Sequence, residues 1–273
     1  MVQITDTPAR QVDWADWLRR WDAQQSLYMT TREERFEIML DALEATVAAS
    51  PGAQDEGGIV ALDLACGPGA ISQRLLARFP NARTFAVDLD PVLLAIGQGA
   101  LGTLDGRLTW LEENLNEPAW ADRLAERLAG RQLDAVLSTT ALHWLSPGTL
   151  ARVYSELGQL MRPGGVFLNG DHMMYAPDRP TIREMALGMR QRRRQAVQAT
   201  SAAEDWERWW QAVEAEPGLT DLFAERERRF AWRDRTWVNA SLAFQIGALK
   251  DAGFREADVI WQRLDNRVLM AVR

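Results

Sequence analysis

Apolar and polar positions follow three successive patterns along the chain. From about Asp13 to Ala49 the apolar residues recur at helical spacing. Trp14, Trp17, Leu18 and Trp21 make one stripe, and Phe36, Met39, Leu40, Leu43 and Val47 make a second, which predicts two helices. Ser50 to Gly58 holds glycine, proline and polar residues and reads as a loop. From Ile59 to about Asp171 short apolar runs alternate with helical patterns. That alternation favours a parallel sheet with crossover helices. In such sheets ligands bind beyond the carboxyl ends of the strands, where the strand order reverses. From Met173 to about Arg235 the alternation stops. Met185, Leu187 and Met189, then Trp206, Trp209, Trp210 and Val213, mark further helices there, and a last helix is expected from Thr236 to Asp251.

Composition narrows the class. The 273 residues are 47% hydrophobic and 25% charged, close to a globular average. No apolar run approaches the roughly 20 residues that span a bilayer. Met1 to Arg10 is polar and has no apolar signal core, so a cytoplasmic location is expected. Cys66 is the only cysteine, which rules out an intramolecular disulfide and a cysteine-rich metal site. No metal is expected. The net charge of −7 argues against a nucleic-acid surface, because phosphate binding draws on clustered positive charge. The basic residues are almost all arginine, with Lys250 the single lysine, so arginine clusters carry less information than usual.

Candidate chemistry concentrates after the first apolar run. Leu62-Asp63-Leu64-Ala65-Cys66-Gly67-Pro68-Gly69-Ala70 joins a strand pattern to a helical one. A glycine-rich loop carries meaning in that context. Gly67 and Gly69 remove Cβ atoms where a ligand approaches the backbone, and the helix start offers free N–H groups. The next apolar run, Thr84 to Val87, ends in Asp88. An acid at that strand tip accepts the hydroxyls of a ribose. The two features together read as a nucleoside site. Ser72 stands where a dinucleotide fingerprint places its third glycine. Asp63, at the end of the strand, would repel a pyrophosphate and attract an ammonium group.

Five segments in order then carry a resemblance. Asp63 to Gly69 is similar to motif I of the class I S-adenosylmethionine-dependent methyltransferases, with Ala65 where the family usually has glycine. Val87 to Leu94, Leu108 to Leu115 and Leu133 to Leu145 resemble the family's second, third and fourth strands with the segments after them, with Asn114 in place of the usual acid, and Arg162 to Leu168 resembles the turn into strand five. Ala252-Gly253-Phe254 and the runs to Val272 resemble its closing pair. Leu142-His143-Trp144-Leu145 resembles the small-molecule branch that contains trans-aconitate methyltransferase.

The resemblance implies an α/β, Rossmann-like, doubly wound seven-stranded sheet with an antiparallel last strand. It implies an N-terminal helical lid (1–50), a cofactor-binding core (59–172), a helical cap inserted after strand five (173–235), and the last helix and closing strands (236–273). The implied cofactor is S-adenosylmethionine, converted to S-adenosylhomocysteine. Ala65, Gly67 and Gly69 would hug its methionine and ribose, and Asp63 would face its amino group. Asp88 would take the ribose hydroxyls, and Leu89, Asn114 and Leu115 would sandwich and read adenine. Thr139 would add a backbone contact, and Tyr28 or an arginine near it, Arg32 or Arg35, would clamp the carboxylate. The implied acceptor is a small molecule, with oxygen favoured over nitrogen or carbon.

The chain has two histidines, His143 and His172, which follow strands four and five. Each is a candidate base, since imidazole titrates near neutral pH. Asp171 would orient His172 or bind a substrate amine. Trp144 and Trp21 are candidate walls of the substrate pocket, while most of the twelve tryptophans read as core. Arg190, Arg192, Arg193 and Arg194 read as exposed helix surface, and Cys66 as a small buried side chain. A nicotinamide-dependent oxidoreductase, and a methyltransferase fold without transfer activity, stay open as other classes.

Overall fold

The structure, a computed structural model, describes residues 12–49, 58–231 and 239–273. The polar start to Arg10, the predicted loop up to Gly57 and the predicted start of the last helix at Thr236 lie outside those residues, as does the Val47 side chain. Two helices come first, α1 (Trp14–Tyr28) and α2 (Arg32–Ala49). Strands and helices then alternate: β1 (Val60–Leu64), α3 (Ala70–Arg78), β2 (Arg83–Asp88), α4 (Pro91–Leu101), β3 (Leu108–Glu112), α5 (Trp120–Leu128), β4 (Leu133–Thr139), α6 (Pro147–Leu160) and β5 (Met161–His172). Three helices follow, α7 (Pro180–Thr200), α8 (Trp206–Glu214) and α9 (Thr220–Phe230). The described chain ends with α10 (Leu242–Asp251), β6 (Glu256–Arg263) and β7 (Asn266–Val272).

The seven described strands form one sheet in the order β3-β2-β1-β4-β5-β7-β6. β1 pairs in parallel with β2 and β4, β2 with β3, and β4 with β5. β7 runs antiparallel to both β5 and β6. This is the expected doubly wound sheet with an antiparallel last strand. Its order reverses between β1 and β4.

Strand alternation distributes the core between two faces. Val60, Leu62 and Leu64 point to the layer of α5, α6 and α10, where Trp120, Leu124, Tyr154, Leu157 and Leu249 are buried. Ala61 faces the other layer with Ala135 and Leu168, against Ile71, Leu75 and Leu76 of α3. Small residues on that face leave room for α2, whose Phe36, Met39, Leu40 and Leu43 pack in the same cluster. So α2 covers the sheet directly. The stripe of α1 goes elsewhere: Trp17, Leu18 and Trp21 pack with Val92, Leu93 and Ile96 of α4 and Trp209, Trp210 and Val213 of α8. This third cluster sets α1 and α8 beside the carboxyl edge of the sheet, where α4 begins. Asp90 caps α4, accepting from the N–H groups of Val92 and Leu93, and Pro91 opens the helix.

Candidate active site

The site forms where β1 ends. Its turn needs left-handed backbone at Ala65 (φ 56°), Gly67 (φ 54°) and Gly69 (φ 84°). Glycine adopts that region freely, and an alanine there costs about 1 kcal/mol. A Cβ on Gly69 would fall 2.6 Å from the Trp110 ring, so space as well as φ demands glycine. A Cβ on Gly67 would meet only Leu93 at 3.8 Å, so the face above Gly67 is open to a ligand. The Cys66 N–H donates to Val87 O at 2.9 Å and ties the turn to β2.

Asp88 sits at the tip of β2. Its Oδ2 accepts the Gly67 N–H at 2.7 Å and its Oδ1 accepts the Asp90 N–H at 2.8 Å. A carboxylate has about four lone-pair sites, so two remain for ligand hydroxyls. Burial, and then the neighbouring Asp90 carboxylate, push the Asp88 carboxyl up to about 6. Asp63 lies deeper, 2% exposed. Its Oδ2 accepts the Ser72 hydroxyl at 2.7 Å and the Ser72 N–H at 3.1 Å. Ser72, which stands in for the dinucleotide glycine, thus holds Asp63 in place. The Asp63 Oδ1 is buried with no hydrogen-bond partner. Burial, and then the charge of Asp88, raise the Asp63 carboxyl to about 7.

Asp88 and part of the turn border a cavity with about 1160 Å³ of space free of protein atoms, part of it open to solvent, while Asp63 and Gly69 do not line it. Ala65, Gly67, Asp88 and Leu89 line it, as do Asn114, Leu115 and Thr139. Trp21 and Trp144 stand in its wall. Cys66 also lines it, while its thiol is pushed up by burial and is no nucleophile. Asn114 differs from the reading given to it. Its side-chain oxygen already accepts from the N–H and side-chain amide of Asn116, and its amide donates to Glu117 at 3.3 Å.

Several candidate residues lie off the cavity. Tyr28 faces α7 and α8: its hydroxyl accepts from the Trp206 N–H at 2.8 Å and from Arg194 at 3.1 Å. Arg35 is fully buried, bound to Thr140 and Asn266. Burial lowers its guanidinium to about 10. Of the arginines near Tyr28, Arg32 reaches the cavity. It is 4% exposed, and its Nη2 donates to Asp22 at 2.7 Å.

Asp171 orients the other histidine, not its neighbour. Its Oδ1 is 2.7 Å from His143 Nδ1, and its Oδ2 accepts the His143 N–H at 3.2 Å. The expected Asp171–His172 ring pair does not form, because successive residues of a strand point to opposite faces. The His172 ring instead lies 3.4 Å from Asp265 and 3.3 Å from Arg190. Burial pushes the Asp171 carboxyl up, but His143, His172 and Arg35 together outweigh it and hold it near 2. His143 sits between Leu142 and Trp144, which both line the cavity.

Sequence reasoning passed over Met29, Arg226 and Phe230, and read Trp206 as core, yet all four line the cavity. Arg226 comes from α9, where its Nε donates to Asp90 at 2.8 Å and its guanidinium stacks 3.6 Å from the Trp210 ring centre. Nothing in the local sequence signals that role, since helix α9 is distant in the chain. Among the described residues, no three His, Cys, Asp or Glu side chains gather as a metal site, and no helix is long and apolar enough to cross a membrane.

A reversed strand order, a left-handed glycine turn and an acid at the tip of β2 define a Rossmann-like fold. The chain is similar there to known methyltransferases. Residues 61–165 match the family described as a methyltransferase domain. The chain is 30% identical over 146 residues to the trans-aconitate 2-methyltransferase of Azoarcus sp. (strain BH72), covering 54% of this chain and 48% of that protein. It spans about half the length of the curated relatives it matches. Its fold resembles an O-methyltransferase family protein from Burkholderia thailandensis, at 17% identity and a TM-score of 0.53, over 93% of this chain and 59% of that one. An O-methyltransferase family 2 protein from Planctomyces limnophilus is similar to the same degree, at 17% identity and a TM-score of 0.51, over 94% and 64%.

Proposed function

We propose that the chain transfers a methyl group from S-adenosylmethionine to an oxygen of a small molecule held in the cavity. The observation that carries this reading is the cleft itself. At the β1–β4 reversal, the open Gly67 backbone, the Asp88 carboxylate and the Leu89–Leu115 pair face one space. The cofactor, when bound, supplies an electrophilic methyl on a sulfonium that leaves as a neutral thioether.

The residues present suit that group. Asp88 has acceptor capacity left for two ribose hydroxyls. The unpartnered Asp63 Oδ1 supplies the negative end that an ammonium group seeks in a buried place. Arg32 supplies a buried guanidinium for a carboxylate. On the other side, Trp21, Trp144, Trp206 and Phe230 wall an aromatic compartment for the acceptor and exclude water from it. His143 serves as the base. Asp171 holds its Nδ1, which fixes the neutral tautomer with the proton on Nδ1 and leaves Nε2 to accept one. Thr139 and the turn residues Ala65 and Gly69 shape the cofactor half, and α1, α8 and α9 form the cover. The Azoarcus relative, named for methylating a small organic acid, supports a small acceptor.

Two measurements test this. Asp88→Ala weakens S-adenosylhomocysteine binding by about 1–3 kcal/mol in calorimetry, through lost hydrogen bonds. Unchanged affinity removes Asp88 from the site. Incubation with methyl-labelled cofactor and a metabolite extract moves the label onto a small compound. Binding without any label transfer leaves a fold that has lost the reaction.

A further inference from the structure

A second pocket lies beside the first, between α7, the α1–α2 turn and the β6–β7 hairpin. Met29 lines both, so one side chain separates them. The second pocket is smaller, with about 430 Å³ of space free of atoms, part of it open to solvent. Its charge is distinctive. Arg190, Arg193, Arg194, Arg263 and His172 line it against one acid, Asp265, in a chain whose net charge is −7.

The arginine run of α7, which the sequence places on an exposed helix, is therefore partly turned inward. Some of these cations are fixed. Asp265, with 4% of its side chain exposed, pairs with Arg190 and lies 3.4 Å from the His172 ring. Arg194 stacks 4.1 Å from the Tyr28 ring centre and donates to its hydroxyl. Arg193 and Arg263 have neither an ion pair nor a hydrogen bond among the described residues. Four guanidinium groups around one concavity, answered by a single carboxylate, leave a positive field there. A guanidinium is a planar fork of donors that matches the oxygens of a carboxylate or phosphate.

We infer that this pocket binds a small oxyanion, a phosphate or a carboxylate, through the guanidinium groups of Arg193 and Arg263, with Arg190 and His172 fixed beside them by Asp265. The site is separate from the methyl-transfer cavity and does not depend on that reading. Its position across Met29 puts a bound anion next to the acceptor compartment.

Calorimetry at low ionic strength, with the protein titrated by inorganic phosphate and separately by succinate, tests the site. Saturable binding of at least one is expected, and the tighter of the two identifies the group. The double variant Arg193→Gln/Arg263→Gln then weakens that binding about tenfold or more. Arg192→Gln removes the same charge from an exposed position of the same helix outside the pocket, and changes the affinity less than about twofold. The double variant keeps wild-type circular dichroism and S-adenosylhomocysteine affinity. Three results overturn the inference: neither anion binds saturably, the double variant binds as the wild type does, or Arg192→Gln loses as much as the double variant.

Discussion

At the scale of single residues, the surroundings of two acids and two histidines separate the roles proposed for them. Burial raises Asp63 to about 7 and Asp88 to about 6, so the ligand-free fold holds these protons more tightly than the unfolded chain does. Their favourable contribution to stability is fully present below the unfolded value near 4 and is lost as pH rises through 6 and 7. Ligand binding runs the other way, because an ammonium and ribose hydroxyls favour the ionised carboxylates. S-adenosylhomocysteine affinity therefore falls about tenfold or more between pH 8 and pH 5.5. Asp63→Asn flattens that profile and leaves the ligand-free protein no less stable at pH 8 by chemical denaturation. A wild-type affinity independent of pH contradicts the assignment. With the acceptor identified, His143→Ala lowers kcat about a hundredfold or more with cofactor binding retained, while His172→Ala keeps wild-type kcat. Equal rates in His143→Ala and the wild type remove the base. The sequence made the turn and Asp88 legible because main-chain geometry demands those residues at that spacing. The partner of Asp171 was not legible, because side-chain direction at the end of β5 decides it.

At the scale of elements, the cap and the cofactor edge form one connected unit. Helix α9 is tied to the loop after β2 by Arg226 to Asp90 and by Arg229 to the Leu89 carbonyl at 3.0 Å, and to the end of β3 by Arg229 to Glu112 at 2.8 Å. Both ends of that link bear on the cavity, since Leu89, Asp90 and Arg226 line it. Arg226→Gln frees α9. Amide exchange in α9 rises and S-adenosylhomocysteine affinity falls about tenfold, because breaking a buried pair strands Asp90. Unchanged exchange in α9 breaks the proposed link. The strands and the helices between them were readable from their periods, including the switch to helices after Met173. The separate destinations of α1 and α2 were not. Both stripes are apolar, and a small residue of the sheet makes space for α2: a Cβ on Gly170 of β5 would fall 2.9 Å from both Arg35 and Met39.

At the scale of the whole molecule, a sheet whose order reverses between β1 and β4 gathers residues from Trp21 to Phe230 around one cavity. Twelve tryptophans in the sequence read mostly as core, and Trp17, Trp120 and Trp209 are buried that way, while Trp21, Trp144 and Trp206 serve the cavity wall. Position along a stripe does not separate these uses; the seam between the α1–α8 cluster and the sheet edge does. The most direct test is a crystal structure with S-adenosylhomocysteine bound. The account predicts ribose hydroxyls on Asp88, the amino group toward Asp63, and the thioether facing the compartment of Trp21, Trp144 and Trp206. A ligand found outside the β1–β4 cleft, or a cleft that stays empty at saturating concentration, contradicts it.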